Sequence, residues 1–73
     1  QGSSSLLEAS KLFNLAAEMG DPESARYLGL MYLQGKGVKK DSNEAIKWFE
    51  IASQGGDAMA KRNLQSLKRI IRK

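Results

Sequence analysis

The stretch Ala45–Asp57 reads AIKWFEIASQGGD, and Ala9–Asp21 reads ASKLFNLAAEMGD. The two align with a shift of 36 residues and agree at Ala9/Ala45, Lys11/Lys47, Phe13/Phe49, Ala16/Ala52, Gly20/Gly56 and Asp21/Asp57. The register continues, with Arg26 falling on Arg62 and Leu28 on Leu64. Each stretch spaces its apolar residues three and four apart, then stops at glycine followed by aspartate. That is the pattern of a helix, its C-terminus and the N-cap of the next helix. A period in the thirties built from two helices predicts a solenoid.

Working outward, the pattern predicts about four helices. Ser5 and Glu8 have capping-box spacing, and the first helix carries Leu6, Ala9, Leu12, Phe13, Ala16 and Ala17 on one broad face up to Gly20. Asp21 and Pro22 suit the N-cap and first position of a second helix, whose stripe is Ser24, Leu28, Met31 and Tyr32 and whose end is Gly35. Asp41 and Glu44 repeat the capping-box spacing before a third helix that turns Ala45, Trp48, Phe49 and Ala52 inward. Asp57 opens the fourth, with Ala60, Leu64, Leu67 and Ile71 as its stripe. Residues 1–5 are expected to form a disordered or appended N-terminus, and 6–73 the repeat domain.

Composition narrows the chemistry. A chain of 73 residues is one small domain. It has no cysteine, which excludes disulfides and thiolate metal sites, and no histidine, which removes the commonest general base and metal ligand. No metal or cofactor is expected. No apolar run approaches the ~20 residues of a membrane span, and "QGSSS" lacks the features of a signal peptide. The compartment stays open. A net charge of +4 favours acidic partners without naming one.

Gly35 and Gly37 in "YLQGKGVKKD", Tyr32–Asp41, raise the question of a phosphate cradle. No strand pattern precedes them and the spacing is not that of a Walker loop. They read instead as an interhelical turn with Val38 tucked beneath it.

The run from Ser24 to Ala60 resembles a Sel-one-like repeat, a relative of the tetratricopeptide repeat. The resemblance rests on Ser24, Leu28, Gly29, Tyr32, Gly35, Gly37, Val38, Asp41, Ala45, Trp48, Phe49, Ala52 and Gly56. It implies an all-α fold of antiparallel helix pairs in a right-handed α-solenoid. Residues 6–20 would be the second helix of a preceding repeat, 21–56 a full repeat and 57–73 a C-terminal capping helix. The last helix departs from the pattern. Gln65 stands where Gly29 sits one repeat earlier, and Lys68 where Tyr32 sits. An incomplete solenoid also predicts either a longer array or self-association through the first helix.

Carboxylates are mostly placed at caps and first turns, and the serines have no histidine to activate them. Catalysis is not expected. The resemblance implies a protein-binding adaptor whose concave groove is lined by Glu23, Arg26, Leu30, Leu33 and Gln34, and one repeat on by Met59, Arg62, Ser66, Arg69 and Ile70. In this reading the arginines grip acidic side chains and the leucines take apolar ones. The plain alternatives are that Arg26 pairs with a surface group such as Glu23, and that Leu30 and Leu33 pack against a neighbouring helix. A second reading uses the basic C-terminal helix, with Lys61, Arg62, Lys68, Arg69, Arg72 and Lys73, as a nucleic-acid or anionic-surface binder. Against it stands a solubilising cap whose cations favour the helix C-terminus.

Overall fold

The computed structural model describes residues 2–71, with side chains from 5 to 70. Four helices follow in order: α1 (Gly2–Glu18), α2 (Pro22–Gln34), α3 (Ser42–Gln54) and α4 (Ala58–Ile71). Short turns join them, so successive helices pack as antiparallel neighbours, α1 on α2, α2 on α3 and α3 on α4. The all-α solenoid expectation holds. The assembly is a slab, 36 × 27 × 14 Å along its principal axes.

The core follows the predicted stripes of α2 and α3, whereas of the α1 stripe only Ala17 is buried and Leu6 and Leu12 are exposed. Ala25, Leu28, Ala45, Phe49, Ala52 and Ala60 are fully buried, with Ala17, Trp48 and Leu67 nearly so. Small residues dominate because the helices approach closely. Gly29 decides the α2–α3 distance: a Cβ there would stand 2.9 Å from two ring carbons of Phe49 and 3.2 Å from the Ala45 carbonyl oxygen. One side of the Phe49 ring therefore abuts bare backbone. Trp48 fills the space beside it, and its buried indole N–H has no acceptor among the described residues. Burying an amine-type donor unpaired costs ~1–3 kcal/mol, less than the large apolar area of the ring returns.

The loop between α2 and α3 answers the phosphate question. Gly37 has φ 78°, and a Cβ on it would overlap the Leu6 carbonyl of α1. Ser10 Oγ donates to the Leu7 carbonyl at 2.6 Å and reaches the Gly37 carbonyl at 3.4 Å. The loop backbone is thus docked on α1, with Val38 half-buried beneath. Its amides form no open cradle.

The helix boundaries differ from the sequence reading in three places. First, α1 begins at Gly2, so residues 2–5 belong to the helix and Ser5 lies inside it, where it cannot cap. No proline interrupts this polar stretch, and helix propagates cheaply from an existing segment. Second, Asp21 occupies the N-cap of α2 but its carboxylate makes no cap bond to the backbone; it accepts the Ser24 hydroxyl at 2.6 Å. Third, Asp41 caps Asn43 and Glu44 amides at 3.0 and 3.2 Å, yet the reciprocal half of the box is missing. The Asp41 amide is already taken by the Tyr32 carbonyl, and Glu44 turns to Lys47 instead.

Gly37→Ala is expected to cost about 2–3 kcal/mol, since left-handed strain and backbone overlap act together. Gly29→Ala is expected to cost about 1 kcal/mol net, because ~1–3 kcal/mol of overpacking against a fixed ring outweighs the ~1 kcal/mol alanine gains as a helix former. Urea unfolding followed by circular dichroism ranks the two. A Gly29→Ala chain with a raised midpoint would show that Phe49 moves aside freely.

Candidate partner-binding surface

Arg26 lies one turn into α2 and was expected to point its guanidinium into the groove. It turns inward instead and is 9% exposed. Its Nε donates to both carboxylate oxygens of Asp57 at 3.1 Å. Both side chains are nearly buried, 11% and 12% exposed. Asp57 in turn accepts the Ala60 amide at 2.8 Å and so caps α4. One carboxylate therefore holds the start of α4 and fastens it to α2 across 31 residues of chain. The Arg26 guanidinium also lies 4.6 Å from the centre of the Tyr27 ring, which stacks on Phe13 of α1 at 5.2 Å. The expected Glu23 contact exists at 3.7 Å, but Glu23 is 62% exposed, and such a pair contributes ~0–1 kcal/mol. Arg26 is thus a clamp between α2 and the start of α4.

The electrostatics agree. Burial by itself raises the Asp57 pKa, but the Ala60 amide, Arg26 and the Met59 amide together hold it below its ordinary value. Burial likewise disfavours the Arg26 charge, and Asp57 with Tyr27 more than restores it.

The remaining predicted groove residues divide. Leu30 and Leu33 are half-buried and pack against the core. Glu23 and Gln34 are exposed on α2. On α4, Met59, Arg62, Ser66, Arg69 and Ile70 are all exposed, Met59 by 57% and Ile70 by 67%. Their spacing puts them along one side of α4. Among the described residues Arg62 and Arg69 form no ion pair, whereas Lys68 reaches Glu50 at 3.8 Å. Arg72 and Lys73 lie outside the described residues. Sequence reasoning missed Tyr27 as a packed aromatic and Asp57 as the acceptor of Arg26. The matched pairs Asp21/Asp57 and Arg26/Arg62 were the available signal.

An open apolar groove of about 420 Å³ runs along α1, lined by Leu7, Ser10, Leu15, Leu28 and Val38 among others. It brings no nucleophile against a base. Among the described residues no group of three His, Cys, Asp or Glu side chains is placed to hold a metal, and no helix is long and apolar enough to cross a membrane.

The family model for the Sel1 repeat matches residues 5–21 and 22–57. The chain belongs to the Sel1 repeat family. Sel1 repeats generally mediate protein–protein interaction and are typically non-catalytic. Two curated relatives are both named DAP3-binding cell death enhancer 1. The rat protein is 37% identical over 60 residues, covering 82% of this chain and 12% of its own length. The mouse protein is 36% identical over 59 residues, covering 81% and 12%. The chain thus spans about an eighth of the relatives it matches. No solved structure matches it.

Removing one partner of this nearly buried ion pair leaves the other charge uncompensated. Arg26→Ala is expected to cost about 3 kcal/mol. Asp57→Asn keeps a cap acceptor and costs less than Asp57→Ala. Because the folded pKa of Asp57 lies below its unfolded value of roughly 4, its contribution is full above that pH and is lost as pH falls through the folded value. Unfolding free energies measured from pH 7 downward should therefore fall more steeply for wild type than for Asp57→Asn. Parallel pH profiles would exclude the carboxylate clamp.

Proposed function

We propose that this Sel1 repeat unit is a non-catalytic adaptor that binds a protein partner along the exposed side of α4 and the adjoining edge of α2. The observation that carries the reading is the α4 stripe. Met59 and Ile70 present apolar surface at its two ends, with Arg62, Ser66 and Arg69 between them and no acid paired to either arginine among the described residues. Apolar anchors around arginine forks suit a peptide or helix with both acidic and apolar side chains. Glu23 and Gln34 form the polar rim on α2. Leu30 and Leu33 contribute their outer edges. Arg26 supports the surface from behind by fixing α4 against α2.

A protein partner also accords with the relatives, whose name states that they bind DAP3. DAP3 is therefore the first partner to try. The other reading assigns the same helix to nucleic-acid or lipid phosphates. It predicts affinity that falls steeply with salt and tolerates loss of the apolar residues.

The test immobilises wild type, Arg62→Glu/Arg69→Glu and Met59→Ser/Ile70→Ser chains. Purified DAP3 and a lysate, with and without nuclease treatment, are passed over each. A protein captured by wild type and weakened at least tenfold by either double variant supports the stripe. Capture that needs intact nucleic acid, or that ignores both double variants, counts against it.

A further inference from the structure

Helices α1 and α3 hold the same repeat position, and one difference between them opens a groove. Ser10 of α1 falls on Ile46 of α3 in the 36-residue register. Ile46 is half-buried and packs against the core. Ser10 is buried too, but its side chain is short and its hydroxyl turns back to the Leu7 carbonyl at 2.6 Å. The space that isoleucine fills beside α3 is left open beside α1. There the apolar groove of about 420 Å³ runs between Leu7, Leu15 and Val38, with Leu28 at its base and Lys11 and Asn14 beside it.

This side of α1 is not one through which repeat helices pack. Helix α3 has a neighbour on either hand, α2 and α4. Its Asn43, Lys47 and Ile51, the counterparts of Leu7, Lys11 and Leu15, are nevertheless all exposed. The residues that α3 buries are Ala45, Phe49 and Ala52, counterparts of Ala9, Phe13 and Ala16. Helical spacing sets those two stripes on opposite sides of α1. A further repeat helix against α1 would leave the groove as open as α2 and α4 leave Ile51. The groove side of α1 is also the more apolar, with leucine at Leu7 where α3 has Asn43. Leu7 and Leu15 are 46% and 59% exposed. They stand about 12 Å apart along the helix, with Lys11 midway.

The chemistry of the groove selects its occupant. The Ser10 hydroxyl is spent on helix backbone, so the walls offer little hydrogen bonding. An extended peptide seated there would leave backbone groups unpaired, whereas an alkyl chain has none to satisfy. Lys11 is exposed and forms no ion pair among the described residues, and no carboxylate lines the groove. One ammonium balances one negative charge, which suits a carboxylate better than a doubly charged phosphate monoester. We propose that this groove binds an aliphatic carboxylate, with the alkyl chain along Leu7, Leu15 and Val38 and the head group on the Lys11 ammonium. The site is separate from the α4 stripe, so the failure of either reading leaves the other standing.

The probe is decanoate, kept below its micelle concentration and titrated into the intact chain with ¹³C-labelled methyl groups. The methyl signals of Leu7, Leu15 and Val38 should shift and saturate, while those of Leu12 and Met59 stay in place. A methylene taken fully out of water is worth about fourfold in affinity, so octanoate should bind about fivefold more weakly from a groove that is open on one side. Lys11→Glu, a change at an exposed position, should weaken decanoate about fivefold and leave decanol unaffected. Ser10→Ile gives α1 the residue that α3 carries and should abolish the shifts. Leu15→Ser, also at an exposed position, should weaken binding without touching the core, and covers the case of a Ser10→Ile chain that does not fold. Decyltrimethylammonium binding as well as decanoate, or no saturable shift below the micelle concentration, would overturn the proposal. So would a capped peptide of alternating leucine and glutamate that moves the same methyls more tightly than decanoate, which assigns the groove to a protein. Shifts of those methyls with chain concentration alone would assign it to a second copy and overturn the proposal equally.

Discussion

The close approach of α2 to α3 at Gly29 governs the structure. With no side chain at that position, the Phe49 ring lies on helix backbone and becomes completely buried. Small residues, Ala25, Ala45 and Ala52, fill several buried positions around this contact, while Leu28 and Trp48 take the larger spaces beside it. The aromatic area that Phe49 and Trp48 remove from water is what a chain this short has to hold itself together. Replacing the glycine would change the interhelical distance, and with it the path of the loop and the position of α4.

The second constraint is electrostatic and acts at longer range. A single carboxylate at Asp57 accepts a helix-start amide and the Nε–H of Arg26, which its two oxygens share. Hydrophobic packing alone fixes the separation of helices more firmly than their lengthwise register, because apolar contacts are non-directional. An ion pair at 12% exposure or less, with one Nε–H shared between two carboxylate oxygens, is directional and hard to screen. It sets where α4 begins relative to α2. The binding stripe on α4 is thereby positioned from behind by a residue that does not belong to it.

These two constraints leave two surfaces with distinct chemistry. The α4 side mixes arginine with methionine and isoleucine, and suits an acidic partner with apolar anchors. The α1 face is largely aliphatic, with one aromatic and one aspartate. A slab 14 Å thick cannot enclose its end helices, so a unit of this kind exposes apolar area at its edge as a consequence of geometry.

The sequence by itself determined the helices, their order and the repeat. Gly29, Phe49, Asp57 and the 36-residue register are all legible in it, because period, glycine placement and cap residues are local properties. It also supplied the exposed members of the α4 stripe, since outward positions on an amphipathic helix follow from spacing. Only the tertiary structure decided what Arg26 does. A helical position one turn from the N-terminus looks like surface in any one-dimensional reading. It became interior because the start of α4 folds back over it and brings a carboxylate 31 residues distant within 3.1 Å. The half-made cap at Asp41 has the same origin, since its amide is claimed by the Tyr32 carbonyl, whereas the Asp21 carboxylate is taken locally by Ser24 in the same turn.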